Sequence, residues 1–230
     1  MLETTTNPQF WWAIAVATVY LLILVLTAEL LNRLSPSPAE VTRKIVHIGA
    51  GQVVLIAWGL AIPGWVGAIA GVLAAGIAMV SYRLPILPSL ESVGRHSYGT
   101  LFYAISIGVL VGGFFSVGQP VFAAIGILVM AWGDGLAALV GQRWGNHPYT
   151  VFNAQKSWEG SGTMAMIGFG ITSGLLTLHF GFSGTILIIA AIVAVVSTGL
   201  ETFSRWGIDN LTVPVGSSLL TYGLVQLFLF

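Results

Sequence analysis

Charge is the property this sequence has least of. Only 7% of its 230 residues are Asp, Glu, Lys or Arg, eight of each sign, where a soluble domain carries about a quarter. So few charges cannot clothe a water-exposed surface of this size, so a soluble domain is excluded. Cysteine is absent, which removes disulfides and thiolate metal sites and leaves the redox compartment open. The formal net charge is zero, so the basic footprint of a nucleic-acid partner is missing. The opening MLETTTNPQF has neither the positive n-region of a signal peptide nor the Arg/Ser-rich bias of a transit peptide. The first apolar run is therefore expected to be a retained span.

Apolar residues are abundant: 56% of the chain is hydrophobic, with a mean hydropathy of +0.92. Runs fall at 9–31, 44–60, 64–82, 97–115, 120–140, 160–180, 184–203 and 213–230. Each is near the ~20 residues that cross a bilayer, with short connections between. The expected fold is an all-α polytopic membrane helix bundle, a single domain over 1–230, of about eight transmembrane helices. Several runs are short or interrupted by glycine, so seven to nine segments also fit. Gly67/Gly71, Gly108/Gly112 and Gly170/Gly174 are small-xxx-small pairs that suit close helix packing in lipid.

The cations Arg33, Arg43, Lys44, Arg83, Arg95, Arg143, Lys156 and Arg205 all fall at the first, third, fifth and seventh connections. The positive-inside rule makes that face cytoplasmic. Glu29, Glu40, Glu91, Asp134, Glu159, Glu201 and Asp209 lie near the same face, with only Glu3 on the other. Both signs of charge are thus gathered on one surface beside lipid, more than a purely structural bundle requires.

The stretch AWGDGLAALVGQRWGNHPYTVFNAQKSWEGSG, from Ala131 to Gly162, is the centre of the pattern. Asp134 sits inside an apolar run, where a carboxylate is costly and marks a site or a buried ion pair. Its neighbours Gly133 and Gly135 would let a ligand or metal approach the backbone; a packing lock with a neighbouring Lys or Arg is the alternative. Lys156, Ser157, Glu159 and Ser161 stand at a helix start, where free N–H groups and the dipole favour an anion. Gln155 excludes a Walker A loop, and a capped helix with a snorkelling lysine is the plain alternative. Arg43, Lys44 and His47 share about one turn, suiting a phosphate clamp or the ordinary basic flank of a span. Glu201, Ser204, Arg205, Asp209 and Asn210 could hold a divalent cation, a ribose, or Arg205 itself; a loop before Pro214 is the alternative. Glu29 and Arg33 are spaced as a structural helical pair. His96, His147 and His179 have no partners at ligand spacing.

Carboxylates for a divalent cation, cations for phosphate oxygens, and lipid alongside point to phosphoryl or nucleotidyl transfer to a membrane-dissolved acceptor, chemistry that rests on positioning and charge neutralisation. RKIVHIGAG, GDGLAALVGQRWG followed by KSWEGS, and ETFSRWGIDNLTVP resemble the CTP-dependent polyprenol kinases, and within them the phytol kinases. The resemblance implies transfer of the terminal phosphoryl group of CTP to phytol, a step of phytol salvage toward tocopherol. The carboxylates themselves suit Mg²⁺ on Asp134, helped by Glu201 or Asp209. Lys156, Ser157, Ser161, Arg43, Lys44, Arg143 and Asn210 are then the candidates for nucleotide and phosphate contacts, and Glu159 or His47 would orient the prenol hydroxyl. The acceptor would come from the bilayer, whether plasma or thylakoid membrane in a bacterial host. Farnesol, geranylgeraniol and dolichol are alternative acceptors. The paired-aspartate signature of phosphatidate cytidylyltransferases is absent, which ranks nucleotidyl transfer lower. A small-solute transporter is the rival from another class, against which stands the nearly charge-free far half.

Overall fold

The computed structural model describes residues 7–34, 39–82, 98–152 and 154–230, without the side chains of 32–34 and 39–40. Arg83, Glu91, Arg95 and His96, and the side chains of Arg33 and Glu40, lie outside that set.

The described residues form eight helices and one small hairpin: α1 Pro8–Leu34, α2 Ala39–Gly59, α3 Gly64–Ser81, α4 Gly99–Phe115, α5 Pro120–Trp144, β1 Pro148–Val151, β2 Ala154–Ser157, α6 Trp158–Phe180, α7 Gly184–Thr202 and α8 Asp209–Phe228. The protein is an all-α membrane bundle. Six of the helices are long and apolar enough to cross a bilayer. The other two are α4, which is shorter, and α2, which carries Arg43 and Lys44.

Helix α5 is the axis. Val121 through Ala131 is almost wholly buried, and α2, α4, α6 and α8 all pack on it. A helix apolar all round belongs inside a bundle, and Pro120 starts it at a position where its missing N–H costs nothing. Helix α1 is peripheral, packing on α2 and tied to it where the Tyr20 hydroxyl donates to Gly49 O at 2.8 Å.

Glycine sets two of the closest crossings. A Cβ on Gly71 would strike Gly108 Cα, and one on Gly67 would strike Val111, so the first two small-residue pairs join α3 to α4 as expected. A Cβ on Gly170 or Gly174 would meet nothing within 4 Å, so that pair sets no close crossing among the described residues. On α8, Pro214 has no N–H for the carbonyl of Asn210, four residues earlier. The Ser106 hydroxyl of α4 lies 2.9 Å from that oxygen and 2.9 Å from Tyr103 O in its own helix, so its one proton serves both carbonyls and links α4 to α8.

Four boundaries differ from the sequence expectation by three residues or more, each extending a helix at the charged end, the first being that of α1, which runs on to Leu34. Helix α5 runs on to Trp144, α2 begins at Ala39, and α8 begins at Asp209, so Asp209 and Asn210 lie in a first helical turn rather than a loop. Hydropathy marks where lipid-compatible residues stop, whereas backbone hydrogen bonding carries a helix past them. The polar connection between α5 and α6 is an antiparallel hairpin, with Tyr149 opposite Lys156.

Candidate active site

Helix α5 builds one wall of a cleft of about 370 Å³. Asp134, Ala137, Ala138, Gly141, Gln142 and Gly145 line it, spaced at i, i+3, i+4, i+7, i+8 and i+11. That spacing is a single helical stripe, about 16 Å long at 1.5 Å per residue, with small residues between its polar ends. The opposite wall holds Lys156 from β2, Ser157, Gly160 and Ser161 at the start of α6, and Glu201 from the end of α7. The walls meet closely: a Cβ on Gly141 would lie 3.0 Å from Ser157 Oγ, and one on Gly160 would lie 3.0 Å from Ala137 O.

Asp134 ends a π-helical stretch, Val129–Asp134, that interrupts α5; such widened turns are frequent at functional sites. Its Oδ2 accepts from Lys44 Nζ at 2.5 Å and lies 3.5 Å from His47 Nε2. Lys44 is 4% exposed and Asp134 9%. The ammonium is the counter-charge that makes a carboxylate tolerable at this depth. Lys44 is not on the cleft wall, so Asp134 stands between it and the cleft. The His47 ring stacks on Tyr103 at 4.3 Å, and its Nε2 is buried without a hydrogen-bond partner.

Lys156 donates to Glu201 twice, to the carboxylate Oε1 at 2.5 Å and to the backbone oxygen at 2.7 Å. Asp209, in the first turn of α8, is within electrostatic range of Asp134, Glu201 and Lys44, and its Oδ1 accepts from the backbone and side chain of Asn210. The described site therefore carries three carboxylates and two lysines, with the charges near balance.

Not every expected residue faces this cleft. Glu159 accepts from His147 Nδ1 at 2.6 Å and from the His147 backbone N–H at 3.3 Å, and is absent from the cleft lining. Arg143 is exposed and stacks over the Trp144 ring at 5.5 Å. Arg43 is half-buried on α2 beside Lys44. Asn210 is buried, its amide donating to Gly207 O at 3.2 Å. Ser157 is the N-cap of α6 and accepts from Gly160 N at 3.1 Å, while Trp158 N donates to His147 O. The expected cradle of free N–H groups is thus partly filled from within the chain. The glycines flanking Asp134 also have a different use from the one expected. A Cβ on Gly133 would strike Met164 and one on Gly135 would strike Ile48, so both admit neighbouring helices rather than a ligand.

Tyr149, His147 and Arg205 carry parts that the sequence did not reveal. The Tyr149 hydroxyl lies 2.5 Å from Ser161 Oγ. Arg205 donates to Phe152 O at 2.9 Å, and its guanidinium lies 4.4 Å above the Phe152 ring. The hairpin is therefore latched at its base and clamped at its tip, which holds Lys156 against Glu201. Period-2 alternation is invisible in two strands of four residues, so no sequence signal pointed to this hairpin.

A charged cleft sunk into one end of an apolar helix bundle defines a polytopic membrane protein with its ionisable groups gathered at one site. The chain is 72% identical to the phytol kinase of Synechocystis sp. over 226 residues, 97% of each chain. It is 29% identical to phytol kinase 1, chloroplastic, of Arabidopsis thaliana over 86% of this chain and 71% of that one. Identity to the farnesol kinase, chloroplastic, of Arabidopsis thaliana is 29% over 78% of this chain and 64% of that one. No family model matches the chain, and no solved structure matches it. The chain belongs to the phytol kinase family.

Proposed function

We propose that this protein phosphorylates phytol at the membrane surface, using CTP as donor, and that the cleft beside Asp134 is where transfer occurs. The observation that carries the reading is the placement of Asp134, Lys156 and Glu201 on one cleft wall system in a chain 72% identical to a phytol kinase. The 29% identity to a farnesol kinase favours farnesol as a second acceptor.

In the reaction the alcohol oxygen attacks the γ-phosphorus of CTP, the bond from that phosphorus to the β-phosphate bridging oxygen breaks, and CDP leaves. The alcohol proton passes to a base or to water. Positioning and charge neutralisation supply most of the catalysis in such transfers. Lys156 reaches the phosphates by releasing one of its two contacts to Glu201. Ser161 donates from the wall opposite α5. The small-residue stripe from Ala137 to Gly145 lets the nucleotide lie close along the helix. His47, buried behind Asp134, and Glu159, engaged by His147, both lie off the cleft wall, so neither is assigned to the acceptor hydroxyl.

Mg²⁺ fits this donor set in combination with the nucleotide. No three His, Asp or Glu among the described residues are spaced to hold a metal alone, but Mg²⁺ is ordinarily held by one or two carboxylates together with phosphate oxygens and water. Asp134 would hold it, with Glu201 or Asp209 as the second carboxylate. Bound there, it would neutralise charge on the phosphate oxygens. We place the charged end on the cytoplasmic side, where nucleotides are, in a plasma or thylakoid membrane.

The test is label transfer to phytol in membranes containing the protein, with γ-labelled CTP, ATP, GTP and UTP compared side by side. Labelled phytyl phosphate from CTP, abolished by a chelator, is the expected result. Equal labelling from all four nucleotides removes the CTP assignment. No product from any nucleotide removes the kinase reading of the cleft.

A further inference from the structure

We propose that the acceptor's isoprenoid chain lies in an apolar groove between the end of α7 and the start of α8, with Ser204 at its polar end. The proposal rests on the kinase reading above. The groove has a volume of about 390 Å³ and is lined by Val196, Gly199, Leu200, Phe203, Ser204 and Ile208, with Thr212 below. Val196, Gly199, Leu200 and Phe203 are one stripe of α7, spaced at i, i+3, i+4 and i+7. Val196, Phe203 and Ile208 are 39%, 65% and 41% exposed, so the groove opens on the lipid-facing side of the bundle.

Two observations distinguish this groove from an ordinary lipid-facing seam. The Ser204 hydroxyl is buried and has no hydrogen-bond partner, which costs free energy unless a ligand or water satisfies it. The groove also ends beside the charged cleft. The backbone oxygen of Glu201 accepts from Ser204 N at 3.2 Å and from Lys156 Nζ at 2.7 Å. One peptide oxygen therefore separates the polar end of the groove from the lysine on the cleft wall. A membrane alcohol lying in the groove has its tail among apolar side chains, and its hydroxyl beside Ser204, on the side of the groove nearest the cleft.

The groove also limits what it can measure. Val196 to Phe203 spans about 10 Å of helix, so it accommodates the part of the chain nearest the hydroxyl and leaves the remainder in the bilayer. Discrimination among acceptors should then be steep for chains shorter than the groove and shallow for those that outgrow it, so that farnesol and phytol differ little.

Gly199→Leu tests the placement. A Cβ at Gly199 meets nothing within 4 Å, and leucine favours helix, so the side chain enters the groove from a position with room at its base. KM for phytol should rise at least about tenfold, while KM for CTP stays within about twofold. An unchanged KM for phytol overturns the proposal. Ser204→Ala should lower kcat/KM for phytol about tenfold, the loss of one buried hydrogen bond, with no change in KM for CTP; no effect counts against the polar end. The second arm needs no turnover: a farnesol carrying a diazirine on its tail is photolysed with the wild-type protein in liposomes. Adducts within residues 196–212 that phytol competes away support the groove. Adducts elsewhere overturn it, as do adducts there that phytol does not displace, since a bilayer acyl chain then fills the groove. If wild type phosphorylates no prenol yet gives the competed adducts, the kinase reading falls and the groove stands.

Discussion

Replacing Lys44 by methionine removes the counter-charge of Asp134 while keeping most of the side-chain volume. The pair is 2.5 Å apart, with side chains 6% and 12% exposed. At an effective dielectric near 20 the gross attraction is about 7 kcal/mol. Deleting one partner of such a pair leaves the other charge buried and costs about 3–5 kcal/mol net. In a chain of this length that lowers Tm by roughly 6–20 °C. Asp134→Asn strands the ammonium and should cost a similar amount. The double variant Lys44→Met/Asp134→Asn has no charge left to strand and should recover stability to within about 1–2 kcal/mol of wild type. Thermal unfolding in detergent, followed for all four proteins, reads these differences, and phytyl phosphate formation is measured in parallel. If Asp134 serves the reaction, the double variant folds well and is at least about a thousandfold less active, the scale of losing a transition-state charge contact. A double variant with activity near wild type would show that Asp134 is only a packing lock, and the site assignment would fail.

Other substitutions probe parts of the same site independently. Arg205→Ala releases the hairpin tip by removing a cation–π contact, about 0.5–2 kcal/mol, and a hydrogen bond to Phe152. KM for CTP should rise several-fold with kcat little changed, and Arg205→Lys should restore only part of the loss because it lacks the planar fork; equal kinetics in both variants would sever the hairpin from nucleotide binding. Glu159→Gln should leave turnover within about twofold, as expected of a pair at the surface, and a loss beyond about a hundredfold would return Glu159 to the reaction. Ser106→Ala orphans the Asn210 carbonyl that Pro214 leaves free, so thermal unfolding should show a loss of about 1–3 kcal/mol with KM for CTP unaltered. No loss would mean that water replaces the hydroxyl.

The helices were legible because lipid demands long apolar runs, and the eight runs in the sequence correspond to the eight described helices. Asp134 was legible for the converse reason, since a carboxylate in such a run needs an explanation. Its partner was not: Lys44 is 90 residues away, and nothing in the chain says which flank turns toward which helix. The stripe of Ala137, Ala138, Gly141 and Gly145 could have been read from its spacing, and it marks the cleft more directly than Gly133 and Gly135, which serve helix packing. Ser157 reads correctly as a helix start, but whether its neighbours' N–H groups stay free depends on where His147 lies, a matter of the hairpin. The pairing of His147 with Glu159 was hidden for the same reason. Asp209 and Asn210 read as loop because Pro214 follows them, yet a hydroxyl from α4 compensates for the proline and the helix begins before it.

The central claim is that the cleft between the Asp134 stripe and the Lys156 hairpin holds the nucleoside triphosphate. Photolysis of a photoreactive CTP analogue with the protein in liposomes, followed by mapping of the adducts, addresses it without relying on turnover. The account predicts adducts between Asp134 and Ser161, suppressed by excess CTP and weakened in Lys156→Met. Adducts confined to other segments, or labelling that CTP does not compete away, would contradict it.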